Sequence, residues 1–85
     1  MNRTTILGIQ VTDQCKDTAE IQKLFSTYGC SIRTRIGLHG SEFENCSPGG
    51  LVLIEAIGNP DEIHNLRNKL TDIHGVLVKS MEFSL

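Results

Sequence analysis

LVLIEAIGNPDE, residues 51–62, is the stretch that decides how this chain folds. Its first part, Leu51–Ile57, is apolar at nearly every position, which is typical of a central strand covered on both faces. The second part begins a helix, because Asn59 is a capping residue, Pro60 suits the first helical position, and two acidic residues then favour the positive end of the helix dipole. A strand is therefore predicted to lead directly into a helix.

The chain that follows this stretch continues the helix and then forms a last strand. The predicted buried stripe of the helix consists of Ile63, Leu66, Leu70 and Ile73. His74 and Gly75 place a basic group in the last turn and a glycine where we expect the helix to stop. Val76–Leu85 alternates between two faces and predicts a closing strand.

The first half of the chain shows the same order of elements. Thr4–Thr12 alternates as a strand, and Gly8 in its interior indicates a bulge or a close approach by another backbone. Asp17, with Glu20 three positions later, predicts the start of an amphipathic helix that ends at Gly29.

Residues 30–39 predict the second strand and carry the best candidate site. Period-two alternation sends Cys30, Ile32, Thr34, Ile36 and Leu38 to an apolar face. It sends Ser31, Arg33, Arg35, Gly37 and His39 to a polar face. A connection over residues 40–50, long for a hairpin, follows the strand.

Guanidinium groups suit a carboxylate or phosphate, and glycines allow a small molecule to approach the backbone. The candidate ligand-binding residues are Arg33, Arg35, Gly37, Leu38, His39 and Gly40. Two alternatives need no ligand: Glu55 on the neighbouring strand can pair with one arginine, and a bulge or turn accounts for the glycines.

The order strand, helix, strand, strand, helix, strand predicts an α+β fold, a ferredoxin-like βαββαβ sandwich in one domain spanning residues 1–85. Right-handed crossovers put the first and third strands in the centre of a four-stranded antiparallel sheet, with both helices on one face. Leu51, Leu53 and Ile57 then lie off the helix side and imply a partner on the open face. We expect a homo-oligomer, a dimer or a tetramer.

Composition excludes several classes of function. The net charge of −2 argues against direct DNA binding, and no run approaches the roughly 20 apolar residues of a membrane span. Cys15, Cys30 and Cys46 form no C-x-x-C pair, which favours free thiols in a cytoplasmic protein. His39 and Cys46 are the weak candidates for metal ligands, but without H-x-H spacing we expect neither a metal nor a cofactor. No nucleophile stands beside a base in sequence, so we expect no catalysis.

Three short motifs indicate a resemblance to a known family. The chain carries ILGI at residues 6–9, RIGL at residues 35–38 and NPDEI at residues 59–63. With these motifs it resembles the small ACT-like proteins described as iron-only hydrogenase system regulators, which are similar in fold to the effector domain of nickel-responsive repressors. This resemblance implies a transcriptional or system regulator that oligomerises and binds a small-molecule effector at a subunit interface. Two alternatives stay open: a structural module that docks a partner protein on its open sheet face, and a metal-responsive sensor.

Overall fold

Four strands and two helices follow one another in the order predicted from the sequence. The structure, a computed structural model, describes residues 3–38 and 50–84. The elements are β1 Arg3–Val11, α1 Thr18–Thr27, β2 Ile32–Leu38, β3 Gly50–Ala56, α2 Pro60–Thr71 and β4 Val76–Ser84. The strands form one antiparallel sheet in the order β2-β3-β1-β4. The predicted α+β fold, with β1 and β3 in the centre and β2 and β4 at the edges, is confirmed.

The core lies between the two helices and one face of the sheet. On β1 and β3 the core-facing positions include Leu7, Ile9, Ile54 and Ala56, and these side chains are almost fully buried. The helices contribute Ile21, Leu24, Phe25, Leu66 and Leu70. The helical stripes and the strand alternation read from the sequence therefore meet in one apolar layer.

Capping side chains fix the start of each helix, as predicted. An Asp17 carboxylate oxygen accepts a hydrogen bond from the Glu20 amide at 3.3 Å, and Asn59 Oδ1 accepts one from the Asp61 amide at 2.8 Å. Each bond satisfies an amide that has no partner within its helix.

The predicted end of α2 at Gly75 is wrong, because the helix ends at Thr71. Gly75 lies instead in the turn before β4, with a φ of +84°. Its carbonyl accepts hydrogen bonds from the amide and the hydroxyl of Thr12, at 2.9 and 2.7 Å. The end of β1 thus holds this turn in place, which a reading of local helix signals does not detect.

A β-bulge in β2 overturns the predicted alternation over residues 30–39. Ile32 pairs with Ala56 and Thr34 pairs with Glu55, so Arg33 is an extra residue on its strand. Ile32 therefore packs against the core, whereas the residues after the bulge change faces. Residues 29–31 form a short 3-10 turn and do not belong to the strand.

The bulge predicted at Gly8 is not found, since β1 keeps a continuous register with both neighbours there. A Cβ built on Gly8 would lie 3.7 Å from Leu53 Cδ2 and 3.9 Å from the Lys79 carbonyl oxygen, which are ordinary contacts. Approach of a second subunit to Gly8 stays a prediction.

Candidate functional site

The sheet face that carries no helix collects exposed apolar side chains. Strand pairing sets Gly8 between Leu53 and Lys79, and Ile36 opposite Leu53, so alternate residues of all four strands share this face. The described large hydrophobics that are exposed all belong to it: Ile36, Leu51, Leu77, Met81 and Phe83, with 36–59% of each accessible. We call this helix-free side of the sheet, which carries the five residues, the open sheet face.

The predicted open-face position is confirmed for Leu51 and Leu53 but not for Ile57. Ile57 follows the end of β3, where its amide donates a 2.8 Å hydrogen bond to the Ser31 carbonyl. Its side chain lines a cavity at that end of the sheet.

The two arginines of β2 have different partners, so the predicted shared polar face is wrong. Arg33 Nη1 lies 3.6 Å from Glu55 Oε2, and the Thr34 hydroxyl donates to Glu55 Oε1 at 3.0 Å. This contact confirms the alternative of a cross-strand ion pair for Arg33. The bulge brings Arg35 to the helix side, since its neighbours there belong to α1.

Arg35 makes two contacts with α1, and both partners are uncharged. Its Nη2 donates to Gln22 Oε1 at 3.0 Å, and its guanidinium carbon lies 4.5 Å from the centroid of the Phe25 ring. The second distance is that of a cation–π interaction. Among the described residues, no carboxylate neutralises the Arg35 charge.

The other candidate residues lie at the far end of β2. Gly37 is exposed, and a Cβ built on it meets nothing described within 4 Å, so packing does not require a glycine there. Leu38 is the last residue of β2. His39, Gly40 and Cys46 lie outside the described residues.

A cavity of about 880 Å³ opens at the opposite end of the sheet, where β1 begins and β3 and β4 end. It lies beside the first half of α2. Its basic lining residues are Arg3, Arg33, His64 and Arg67, and its acidic ones are Glu55 and Glu82. We call this space the end cavity.

The end cavity was not predicted from the sequence, because two of its lining residues, Arg3 and Arg67, lie far apart, on the first strand and the second helix. His64 is exposed and also lines the cavity. The predicted topology could have indicated the cavity. Antiparallel pairing brings the start of β1 beside the end of β3, and α2 begins shortly after β3 ends.

The described residues show neither a metal cluster nor a membrane helix. Within residues 3–38 and 50–84, no three His, Cys, Asp or Glu side chains are grouped to hold a metal ion. In that part of the chain, no helix has the length and apolar character needed to cross a membrane. Cys15 is buried and Cys30 is exposed, and both are free thiols.

Comparisons with known proteins identify the fold. No family model and no curated protein matches the sequence. Among solved structures, the uncharacterized protein TM1266 from Thermotoga maritima is similar, with a TM-score of 0.81 and 25% identity over 98% of this chain and 100% of that one.

An ACT domain and a PII-like protein share the fold at lower identity. The ACT domain of GTP pyrophosphokinase from Chlorobium tepidum gives a TM-score of 0.64 and 22% identity over 92% of this chain and 96% of that one. The nitrogen regulatory PII-like protein CPII from Thiomonas intermedia gives a TM-score of 0.57 and 13% identity over 99% and 92%. The ACT-like fold predicted from the sequence is thus confirmed, and membership of the hydrogenase regulator family stays a prediction.

Proposed function

We propose that this chain is a non-catalytic ACT-like regulatory domain that self-associates through its open sheet face and binds a small ligand. The observation that carries the proposal is the confinement of the exposed large hydrophobics of the described chain to that one face. Two helices already cover the other face. A contiguous apolar surface on one side of a small sheet is typical of an interaction site.

Self-association suits a chain of this size. A domain of 85 residues buries a smaller share of its surface than a larger domain does. Burying an additional apolar face would therefore add a large fraction to its stability. Packing a second copy against the open sheet face removes that surface from water, and two sheets stack face to face at a separation of about 10 Å.

The comparisons support a regulatory role. Two of the similar solved structures are an ACT domain and a nitrogen regulatory PII-like protein. A further structure of that PII-like protein, CPII, with a TM-score of 0.54, holds ADP, AMP and acetate. From these similarities and the ILGI, RIGL and NPDEI motifs, we propose a regulatory function for this chain, as a system regulator of the kind found with iron-only hydrogenases.

We place the ligand beside Arg35, in the middle of β2. Arg33 is paired with Glu55, whereas the partners of Arg35 are the uncharged side chains of Gln22 and Phe25. A guanidinium stacked on an aromatic ring and held by an amide keeps its charge available for a carboxylate or phosphate. An amino acid or another small anion fits this chemistry.

Light scattering after size exclusion tests self-association. We expect a mass of at least twice the 9.4 kDa monomer at micromolar concentration. Met81→Asp and Phe83→Asp add a charge to the open sheet face and should shift the protein towards the monomer. Asn65→Asp, on the exposed surface of α2, adds the same charge and should leave the mass unchanged. A monomeric wild type contradicts the proposal and favours the alternative, a module that docks a different protein on this face.

Thermal denaturation with amino acids, nucleotides and divalent metals tests ligand binding. A ligand at a hundredfold excess over its Kd stabilises the folded state by about 2.7 kcal/mol, which raises the Tm of a domain this small by roughly 10 °C or more. Arg35→Gln should abolish the shift, whereas Arg33→Gln, on the same strand, should keep it. An equal loss in both variants argues against a site at Arg35. A nickel or zinc response that His39→Ala removes would favour the metal-responsive sensor instead.

A further inference from the structure

We propose that the end cavity is a second ligand site, which binds a small molecule through a carboxylate or phosphate group. It is separate from the ligand site proposed beside Arg35. The end cavity lies beside the first half of α2, whereas the Arg35 side chain contacts Gln22 and Phe25 of α1. These three residues do not line the end cavity.

The arginines of the chain are concentrated at the end cavity. The chain has four arginines and four lysines. Three of the arginines, Arg3, Arg33 and Arg67, line the end cavity, and none of the lysines does. Arginine presents a planar fork of donors that matches the oxygens of a carboxylate or phosphate, whereas lysine is a strongly hydrated point charge. Selection of arginine over lysine at one cavity is typical of anion recognition.

Separate elements converge to supply these groups. Arg3 comes from the start of β1, and Arg33 is the extra residue of the β2 bulge, a feature that re-aims side chains and often lies beside functional sites. His64 and Arg67 are three residues apart on α2 and therefore share one side of the helix. The fold thus brings together four basic side chains that the sequence scatters.

The charge balance of the cavity favours an anion. Among the described lining residues, three arginines against two glutamates leave an excess of one positive charge, in a chain whose net charge is −2. Glu55 pairs with Arg33, but neither Arg3 nor Arg67 forms an ion pair with a described carboxylate. These two guanidinium groups are the ones we assign to the ligand.

The β4 residues that line the end cavity are polar, whereas the β4 residues that face the core are apolar. Along the helix-facing side of β4, Val76 is buried and Val78 packs against the core, but Ser80 and Glu82 follow at the cavity. Thr5 lies opposite Glu82 on β1 and is 6% exposed. The hydroxyl groups of Thr5 and Ser80 can hydrogen-bond a ligand, and they contribute less than valine to packing against α2.

NMR titration of the amide resonances tests the site, with inorganic phosphate and succinate as probes and ionic strength held constant with sodium chloride. We expect saturable shifts at residues 57–58 and in the first turn of α2. Arg3→Gln and Arg67→Gln should each weaken binding by about tenfold or more, because each removes a charged hydrogen-bond donor. A response to only one of the two anions identifies the group that the natural ligand carries.

Two controls separate the site from bulk charge and from the proposed site at Arg35. Lys16→Gln removes one positive charge from an exposed loop outside the cavity and should leave the dissociation constant unchanged. Arg35→Gln should also leave the dissociation constant unchanged.

Three outcomes would overturn the proposal: neither anion gives saturable shifts at tens of millimolar, Lys16→Gln weakens binding as much as Arg67→Gln, or Arg35→Gln abolishes binding. Circular dichroism of each variant confirms the fold, and the two arginine variants provide independent tests.

Discussion

Replacing Gly75 by alanine should destabilise the protein far more than the same change at Gly58, although both residues have a positive φ. Gly75 has a φ of +84° and Gly58 of +89°, a backbone region that costs a residue with a Cβ about 1–2 kcal/mol. A Cβ on Gly58 meets nothing described within 4 Å. Gly58→Ala therefore measures the conformational cost alone and serves as the matched control.

At Gly75 the new methyl group also collides with another part of the backbone. It would lie 2.7 Å from both the Cα of Cys15 and the carbonyl carbon of Gln14, closer than a Cβ is found in proteins. Because these atoms are backbone, a rotamer change cannot relieve the contact, and the turn must move. That movement strains the two hydrogen bonds from Thr12 to the Gly75 carbonyl, each worth about 0.5–1.5 kcal/mol.

Adding the lost hydrogen bonds to the conformational cost gives a loss of about 2–5 kcal/mol for Gly75→Ala. The loss for Gly58→Ala is about 1–2 kcal/mol. A domain of this size loses roughly 4–8 °C in Tm for each kcal/mol, so the two variants should melt about 10 °C apart. Urea denaturation followed by circular dichroism measures both free energies, at one protein concentration so that self-association does not differ. If Gly75→Ala proves as stable as Gly58→Ala, the close approach of this turn to Cys15 is refuted.

Two further substitutions test smaller contributions with the same denaturation assay. Asn59→Ala removes the side-chain cap of α2 and should lower the free energy of unfolding by about 1 kcal/mol; an unchanged value would show that the bond to the Asp61 amide contributes nothing. Glu55→Gln should cost less than about 1 kcal/mol, because its ion-pair partner Arg33 is 66% exposed and the pair is screened by water. A loss of several kcal/mol would mean that Glu55 has a partner other than Arg33 and Thr34.

The parts of the fold that local signals determine were predictable. Asp17 and Asn59 cap the helices in the structure as their side chains predict from the sequence. Alternation along β1 and β4, together with the topology rules for βαβ units, gave the strand order. In each case the information lies within a few residues of the feature, or in a rule that holds for most folds.

Features of the structure that depend on contacts between residues far apart in the sequence were not predictable from local signals. The turn at Gly75 is held by Thr12, which lies 63 residues away in the sequence. The end cavity is lined by Arg3 and Arg67, which lie on different elements. The residues around the β2 bulge make contacts with distant parts of the chain, from Ser31 to Ile57 and from Arg35 to α1, and local alternation does not indicate these contacts.

This single bulge connects the features that carry the functional proposals. With unbroken alternation, Ile32 and Ile36 would share a face, and so would Arg33 and Arg35. The extra residue turns Ile32 into the core while leaving Ile36 49% exposed on the open sheet face. It also separates the arginines, so that Arg33 reaches Glu55 and the end cavity while Arg35 stacks against α1. One inserted residue in β2 therefore places Ile36 on the open sheet face, Arg33 at the end cavity and Arg35 against α1.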